Sequence, residues 1–269
     1  PPLMAQFAEL APRLSALGTG DLKFVARRSY ELRCNWKVYV DNYLDGGYHV
    51  SVLHKALAGQ LDLDTYVTEL FERVSIQSCN SPDDAPSERI GDEALYAFVY
   101  PNFMLNRYGP VLDTNWVVPL GLDRTRVVFD FFFRDTEGPE AGEFIERSIA
   151  ASHQVQEEDV AICESVQKGL GSPAYDRGIY APAIETAAYH FHRLLAADLR
   201  GVIEKLVVVA EPEELCADNG GRRARLLLAD CRDLVAAQRG RADVAAGHHG
   251  DGHVVTQCLV LGQGAGALE

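Results

Sequence analysis

Every aromatic residue of this 269-residue chain, 24 in all, lies between Phe7 and Phe191. Aromatic side chains supply much of the apolar area that a core buries, so the packed part of the chain has to be built from about its first 200 residues. Beyond Arg200 the sequence is rich in Ala, Gly, Arg, Leu and Val, with GGRRAR, QRGRAD and GQGAGALE. Such a segment makes a poor core of its own. Residues 201–269 are therefore expected to be an atypical, poorly ordered tail, and the boundary is placed near Arg200.

Hydrophobic periodicity orders the rest. Residues 3–17 read as a short helix or linker, and KFVARRSYELRCNWKVYV, within residues 22–40, alternates as a strand does. DNYLDGGYHVSVLHKAL reads as a helix interrupted at Gly46-Gly47. Strand patterns follow at 65–78, 94–106, 113–119 and 125–134, with SPDDAPSE as a loop. A long amphipathic helix is predicted over 140–170 and a second over about 183–199. Consecutive strands followed by long helices predict an α+β domain with an antiparallel sheet.

Composition excludes several classes of function. The net charge of −14 argues against a nucleic-acid partner. That charge would help to attract a cationic substrate, although acidity by itself accounts for no more than solubility. No apolar run reaches the length of about 18 residues needed to span a membrane. The opening PPLMAQFAEL has no basic stretch followed by an apolar one, so no signal peptide is read there. Cysteines at 34, 79, 163, 216, 231 and 258 form no C-x-x-C and match no zinc spacing, so reduced thiols are expected.

One carboxylate stands out. On the 140–170 helix, Val155, Asp159, Ile162, Cys163 and Val166 fall on one stripe, while Glu157, Glu158, Glu164 and Lys168 fall largely off it. Burying an unpaired carboxylate costs several kcal/mol, so Asp159 needs a cation, such as Arg126 or Arg147, a metal, or a dense set of hydrogen bonds. His49 and His54 flank a short apolar segment. On an unbroken helix a spacing of five turns two side chains about 140° apart, which suits two ordinary histidines at a helix end. The double glycine before them can re-aim the backbone so that both converge. Two imidazoles and one carboxylate are the facial set that non-haem iron enzymes use to leave coordination positions open.

Two separated motifs carry a resemblance. NWKVYVDNYLDGGYHVSVLH, residues 35–54, resembles the iron-site signature of Rieske non-haem iron oxygenase alpha subunits. QEEDVAICESVQKGL, residues 156–170, resembles the segment that supplies their carboxylate ligand. LKFVARRSYEL, ALYAFVYPNFMLNRYGP, DTNWVVPLG and AYHFHRLL are similar to the branch containing plant choline monooxygenases. The resemblance covers roughly residues 20–200 in consistent order.

The resemblance implies a helix-grip, START-like catalytic domain over residues 21–200, preceded by a linker, residues 1–20, from an N-terminal Rieske domain. It implies His49, His54 and Asp159 as ligands of a mononuclear Fe(II). It implies Asp45 as the acidic bridge to a neighbouring subunit's cluster, at a spacing of four from His49 where three is commoner, and Asn42 as a group near the iron. The expected reaction is ferredoxin- and O2-dependent hydroxylation of choline to betaine aldehyde hydrate, by a homo-oligomer in the chloroplast stroma. Demethylation of a betaine or carnitine, ring hydroxylation, and a ligand-binding remnant without catalysis are the competing readings.

A [2Fe–2S] Rieske cluster needs C-x-H and C-x-x-H pairs, and the chain contains neither. The cluster domain is expected to have been lost from in front of Pro1 by truncation or an incomplete gene model. HHGDGH, residues 248–253, is read as a flexible turn rather than a metal site. Tyr96, Phe98, Tyr100, Phe103, Tyr108 and Trp116 are candidate walls for a quaternary ammonium, although strand alternation admits only some of them.

Overall fold

A computed structural model describes residues 3–82 and 87–209. Two compact units are distinguished, Pro1–Phe191 and His192–Glu269. The tail beyond Val209, including HHGDGH, lies outside the described residues. In chain order the elements are α1 (Leu3–Gln6), α2 (Ala11–Ala16), β1 (Lys23–Leu32), α3 (Trp36–Tyr43), α4 (Tyr48–Leu53) and α5 (Lys55–Ala58). Then come β2 (Asp62–Leu70), β3 (Val74–Asn80), β4 (Glu93–Val99), β5 (Phe103–Tyr108), β6 (Val111–Pro119) and β7 (Thr125–Phe133). The last two are α6 (Pro139–Leu170) and α7 (Thr186–Val209), the latter running into the second unit.

The seven strands form one antiparallel sheet in the order β1-β7-β6-β5-β4-β3-β2. This is the expected α+β architecture with an antiparallel sheet: β2 to β7 follow one another across it, and β1 joins at the β7 edge. The stretches 65–78 and 94–106, each expected as one strand, are each two: the chain turns back at 71–73 between β2 and β3 and at 100–102 between β4 and β5, where Pro101 has no N–H to continue a ladder. The strand pattern predicted through residue 40 stops early, because β1 pairs with β7 only from Lys23↔Phe133 to Leu32↔Thr125. Asn35 then caps α3, its side-chain Oδ1 accepting from the Lys37 N–H at 3.1 Å. The backbone N–H of Asn35 donates to Gln167 Oε1 at 2.7 Å, which ties this corner to the end of α6. A side-chain cap and a finished ladder outweigh the alternating pattern here.

One face of the sheet carries Val74, Ile76, Leu95, Ala97, Val99, Leu105 and Leu112, packed with Leu10. Part of the segment read as a linker thus belongs to this core, since Leu10 is fully buried and Phe7, Leu14 and Leu17 pack beside it. On the other face the register aligns Gln77, Tyr96, Asn106, Asp113 and Phe131 in one row across five strands. This row is largely polar although four of its members are fully or nearly fully buried: Gln77, Asn106, Asp113 and Phe131. The polar side chains within it need hydrogen-bond partners or a ligand.

Candidate metal centre

α6 lies against α3 and β1. Its buried residues are Ser148, Ser152, Gln156, Asp159 and Cys163, at steps of three and four. The apolar stripe expected from the sequence is therefore rotated. Asp159 and Cys163 are buried, Val155 and Ile162 are half-buried, and Val166 is exposed. Small polar residues pass closer to the neighbouring elements than Val166 does, so the inward face is largely hydrophilic.

Among the described ion pairs, none joins Asp159 to an arginine. Arg126 pairs with Glu31, and Arg147 with Glu88 and Glu143. Asp159 Oδ1 instead accepts from Asn42 Nδ2 at 2.7 Å, lies 3.1 Å from His54 Nε2, and lies 3.9 Å from His49 Nε2. One ligand atom from each of His49, His54 and Asp159 lies within 4.8 Å of the others. The imidazole rings stand 5.0 Å apart, at 85° to one another.

The backbone reason differs from the one read in the sequence. α4 ends at Leu53, and His54 leaves the helix with φ −97° and ψ 60°. That break, at the second histidine itself, removes the divergence an unbroken helix would impose. Gly46 and Gly47 act earlier, at φ +75° and +78°, turning the chain out of α3 and into α4. Within that turn Asp45 is pinned: Oδ1 accepts from the Gly47 N–H at 3.0 Å and Oδ2 from the His49 N–H at 2.8 Å. Asp45 Oδ2 also stands 2.9 Å from His49 Nδ1. The angle there makes no hydrogen bond, and Nδ1 is buried without a partner.

Glu158, set aside in the sequence reading as lying off the buried stripe, reaches His54 Nδ1 at 2.6 Å. An ionised carboxylate only accepts, so Nδ1 donates to Glu158. With Nε2 protonated as well, His54 also donates to Asp159, and a bound metal would take the place of that second proton. Hydrogen bonding to His54 holds the Glu158 carboxyl below its ordinary range. For His54, burial pushes the pKa down, but Asp159 and Glu158 together outweigh it and the net shift is upward. Two imidazole nitrogens and a carboxylate oxygen converging in this way are a donor set that suits a metal ion.

A cavity of about 100 Å³ opens beside these groups. His49, His54 and Asp159 form one part of its wall, and Tyr43, Tyr66, Tyr96, Tyr108 and Phe129 supply aromatic surface. Of the six aromatics singled out from sequence, only Tyr96 and Tyr108 line it. Phe98 packs on Phe191, as does Tyr100, and Phe103 pairs across strands with Trp116, which is exposed. Burial pushes the Tyr39, Tyr43 and Tyr96 phenols well above their ordinary pKa, so they stay protonated as donors. Tyr39 donates to Gln156 Oε1 at 2.7 Å.

The family model for the ring hydroxylating alpha subunit (catalytic domain) matches residues 19–201. The chain belongs to this family. Among its relatives, the chloroplastic choline monooxygenase of Arabidopsis thaliana is 53% identical over 192 residues, covering 70% of this chain and 45% of the relative. The chloroplastic choline monooxygenase of Amaranthus tricolor is 45% identical over 173 residues, covering 64% and 39%. The chain thus spans less than half the length of these relatives. The crystal structure of the quaternary ammonium Rieske monooxygenase CntA with an inhibitor matches at TM-score 0.58 and 27% identity, over 65% of this chain and 48% of that one. Ring-hydroxylating alpha subunits use non-haem iron, and the donor set here suits a metal. No helix among the described residues is long and apolar enough to cross a membrane.

Proposed function

We propose that this chain is the catalytic domain of a choline monooxygenase, with His49, His54 and Asp159 holding one Fe(II). The observation that carries the reading is the convergence of two imidazoles and a carboxylate at the wall of a cavity lined with aromatic side chains. Cis ligands on a metal at about 2.1 Å stand about 3 Å apart, and His54 Nε2 and Asp159 Oδ1 are already 3.1 Å apart. Iron held by two imidazoles and one carboxylate supplies the oxygen chemistry.

The protein's residues do the rest. Glu158 fixes the His54 tautomer, Asn42 orients Asp159, and Asp45 holds the start of α4 and with it His49. The aromatic walls exclude water and face a quaternary ammonium with π surfaces, at roughly 0.5–2 kcal/mol per contact. A cavity near 100 Å³ is below the range for drug-sized ligands, which favours a small alcohol over a polycyclic ring. In balance, choline, O2, two reduced ferredoxins and two protons give betaine aldehyde hydrate, water and two oxidised ferredoxins. The residues of this chain do not fit a [2Fe–2S] cluster, since the chain has neither a C-x-H nor a C-x-x-H pair. The bridging role assigned to Asp45 belongs with a protein that brings such a cluster to this face. A homo-oligomer in the chloroplast stroma, reduced by ferredoxin, is part of the same proposal.

The test is iron content followed by product analysis. Anaerobic Fe(II) loading should give about one iron per chain. Hydrogen peroxide, which delivers the oxygen atom and both electrons, should then yield betaine aldehyde from choline at low turnover. An iron-free chain after loading would favour a binding remnant, and product only from carnitine or a betaine would move the substrate. Arg89, at the cavity wall, is the feature that favours a carboxylate-bearing substrate as second reading.

Glu158→Gln should weaken Fe(II) affinity about 10–100-fold, as loss of a group orienting a histidine ligand does. Competition against a chelator measures it. Unchanged affinity would remove Glu158 from the site.

A further inference from the structure

Asp113 has no role in holding iron, yet it is 2% exposed and lines the same cavity. It sits on β6 in the polar row of the sheet, opposite Asn106 on β5. Its Oδ1 accepts from Asn106 Nδ2 at 2.7 Å and from Asn115 Nδ2 at 3.2 Å. Asn106 Oδ1 in turn accepts from Tyr43 OH at 2.8 Å, one residue along α3 from the Asn42 that holds Asp159.

Both hydrogen bonds come from neutral amides, and both fall on the same oxygen. Among the described ion pairs within 4.0 Å, none includes Asp113. The nearest cationic influence is Arg89, whose field offsets part of the burial that raises the Asp113 pKa. Arg89 has its own partners: the guanidinium lies 4.5 Å from the centre of the Tyr108 ring and donates to Ser152 Oγ at 2.8 Å. A buried carboxylate held only by neutral donors costs several kcal/mol, and a cation placed in the cavity would offset that cost. Tyr43, Tyr96 and Tyr108 line the cavity with Asp113, so aromatic rings and a carboxyl group border one occupant.

We propose that Asp113 determines specificity by binding the cationic end of the substrate, which leaves the alcohol end for the wall formed by His49, His54 and Asp159. The inference rests on the reading of the site as one for a quaternary ammonium alcohol. It is a statement about charge, so a ligand of the same shape without charge separates it from a structural role of Asp113 in the sheet.

Calorimetric titration of the Fe(II)-loaded chain with choline and with 3,3-dimethylbutan-1-ol, its neutral isostere, makes the test. The parent should bind choline at least about tenfold more tightly. In Asp113→Asn, which keeps an acceptor for Asn106, Arg89 is left uncompensated. Choline affinity should fall at least about tenfold while the neutral alcohol changes less than about twofold. Equal loss for both ligands, or no loss for choline, overturns the proposal. Should Asp113→Asn fail to fold, Asp113→Ser takes its place and is judged by the same two affinities, and equal parent affinities for the two ligands overturn the proposal outright. A parent that binds neither ligand overturns the substrate reading, and this proposal with it. A parent that binds choline beside an unaffected Asp113→Asn overturns Asp113 alone.

Discussion

Asp159→Ala should abolish stable iron binding while leaving the fold in place. Removing a group that only orients a ligand costs about 10–100-fold in metal affinity, so losing one of three ligands should cost more than about a hundredfold. Iron after loading and desalting is then expected at less than about a tenth of the parent's, with peroxide-driven product formation lost in proportion. The metal-free variant should melt close to the metal-free parent. The carboxylate's described hydrogen bonds run to Asn42 and His54, and its removal also ends the burial of a charge beside two imidazoles. Parent-like iron content in Asp159→Ala would disprove the ligand assignment. A collapsed fold would show instead that Asp159 is chiefly structural.

Gly46→Ala should be the most damaging change in the glycine turn. Gly46 adopts φ +75°, and a Cβ there would stand 2.5 Å from the Ile184 carbonyl oxygen and 2.7 Å from its Cγ2. The first obstacle is backbone, so it cannot swing aside as the end of a side chain would. Left-handed strain and overpacking each cost about 1–3 kcal/mol, so a combined loss of roughly 2–6 kcal/mol is expected. The turn also sets Asp45 against the first N–H groups of α4, so iron affinity should fall with stability. Gly142→Ala is the control. It lies inside α6 with nothing within 4 Å of an added Cβ, and should stabilise by about 0.5–1 kcal/mol. Chemical denaturation of the three proteins measures the difference. A Gly46→Ala protein as stable as the parent would mean that the turn relaxes freely.

Much of the architecture was legible before any coordinates. Alternation in β7 and the helical character of residues 140–170 are local consequences of which side chains face a core, and they read directly. The turns inside 65–78 and 94–106 did not: each read as one strand and folds as two. The two motifs around His49 and Asp159 also named the residues that the fold brings together. The errors arose where a non-local partner decided the outcome. The strand pattern through residue 40 was overridden at Asn35, because Gln167 on α6 and the end of β7 set where β1 stops. Which aromatics face the cavity depended on strand register and on what covers each face. Tyr96 and Tyr108 line it, while Trp116 is exposed.

The sequence by itself determined the class of fold, the span of the core and the chemical identity of a two-histidine, one-carboxylate set. Periodicity, aromatic content and motif spacing are properties of neighbours along the chain. Only the tertiary structure decided how His54 turns back toward His49, that Glu158 rather than an arginine completes the surroundings, and that Asp113 is buried in the cavity wall. Glu158 and His54 are 104 positions apart, and Asn106 and Asp113 meet across two strands. Contacts of that kind follow from helix ends and strand register, which settle only when the sheet and α6 pack against each other.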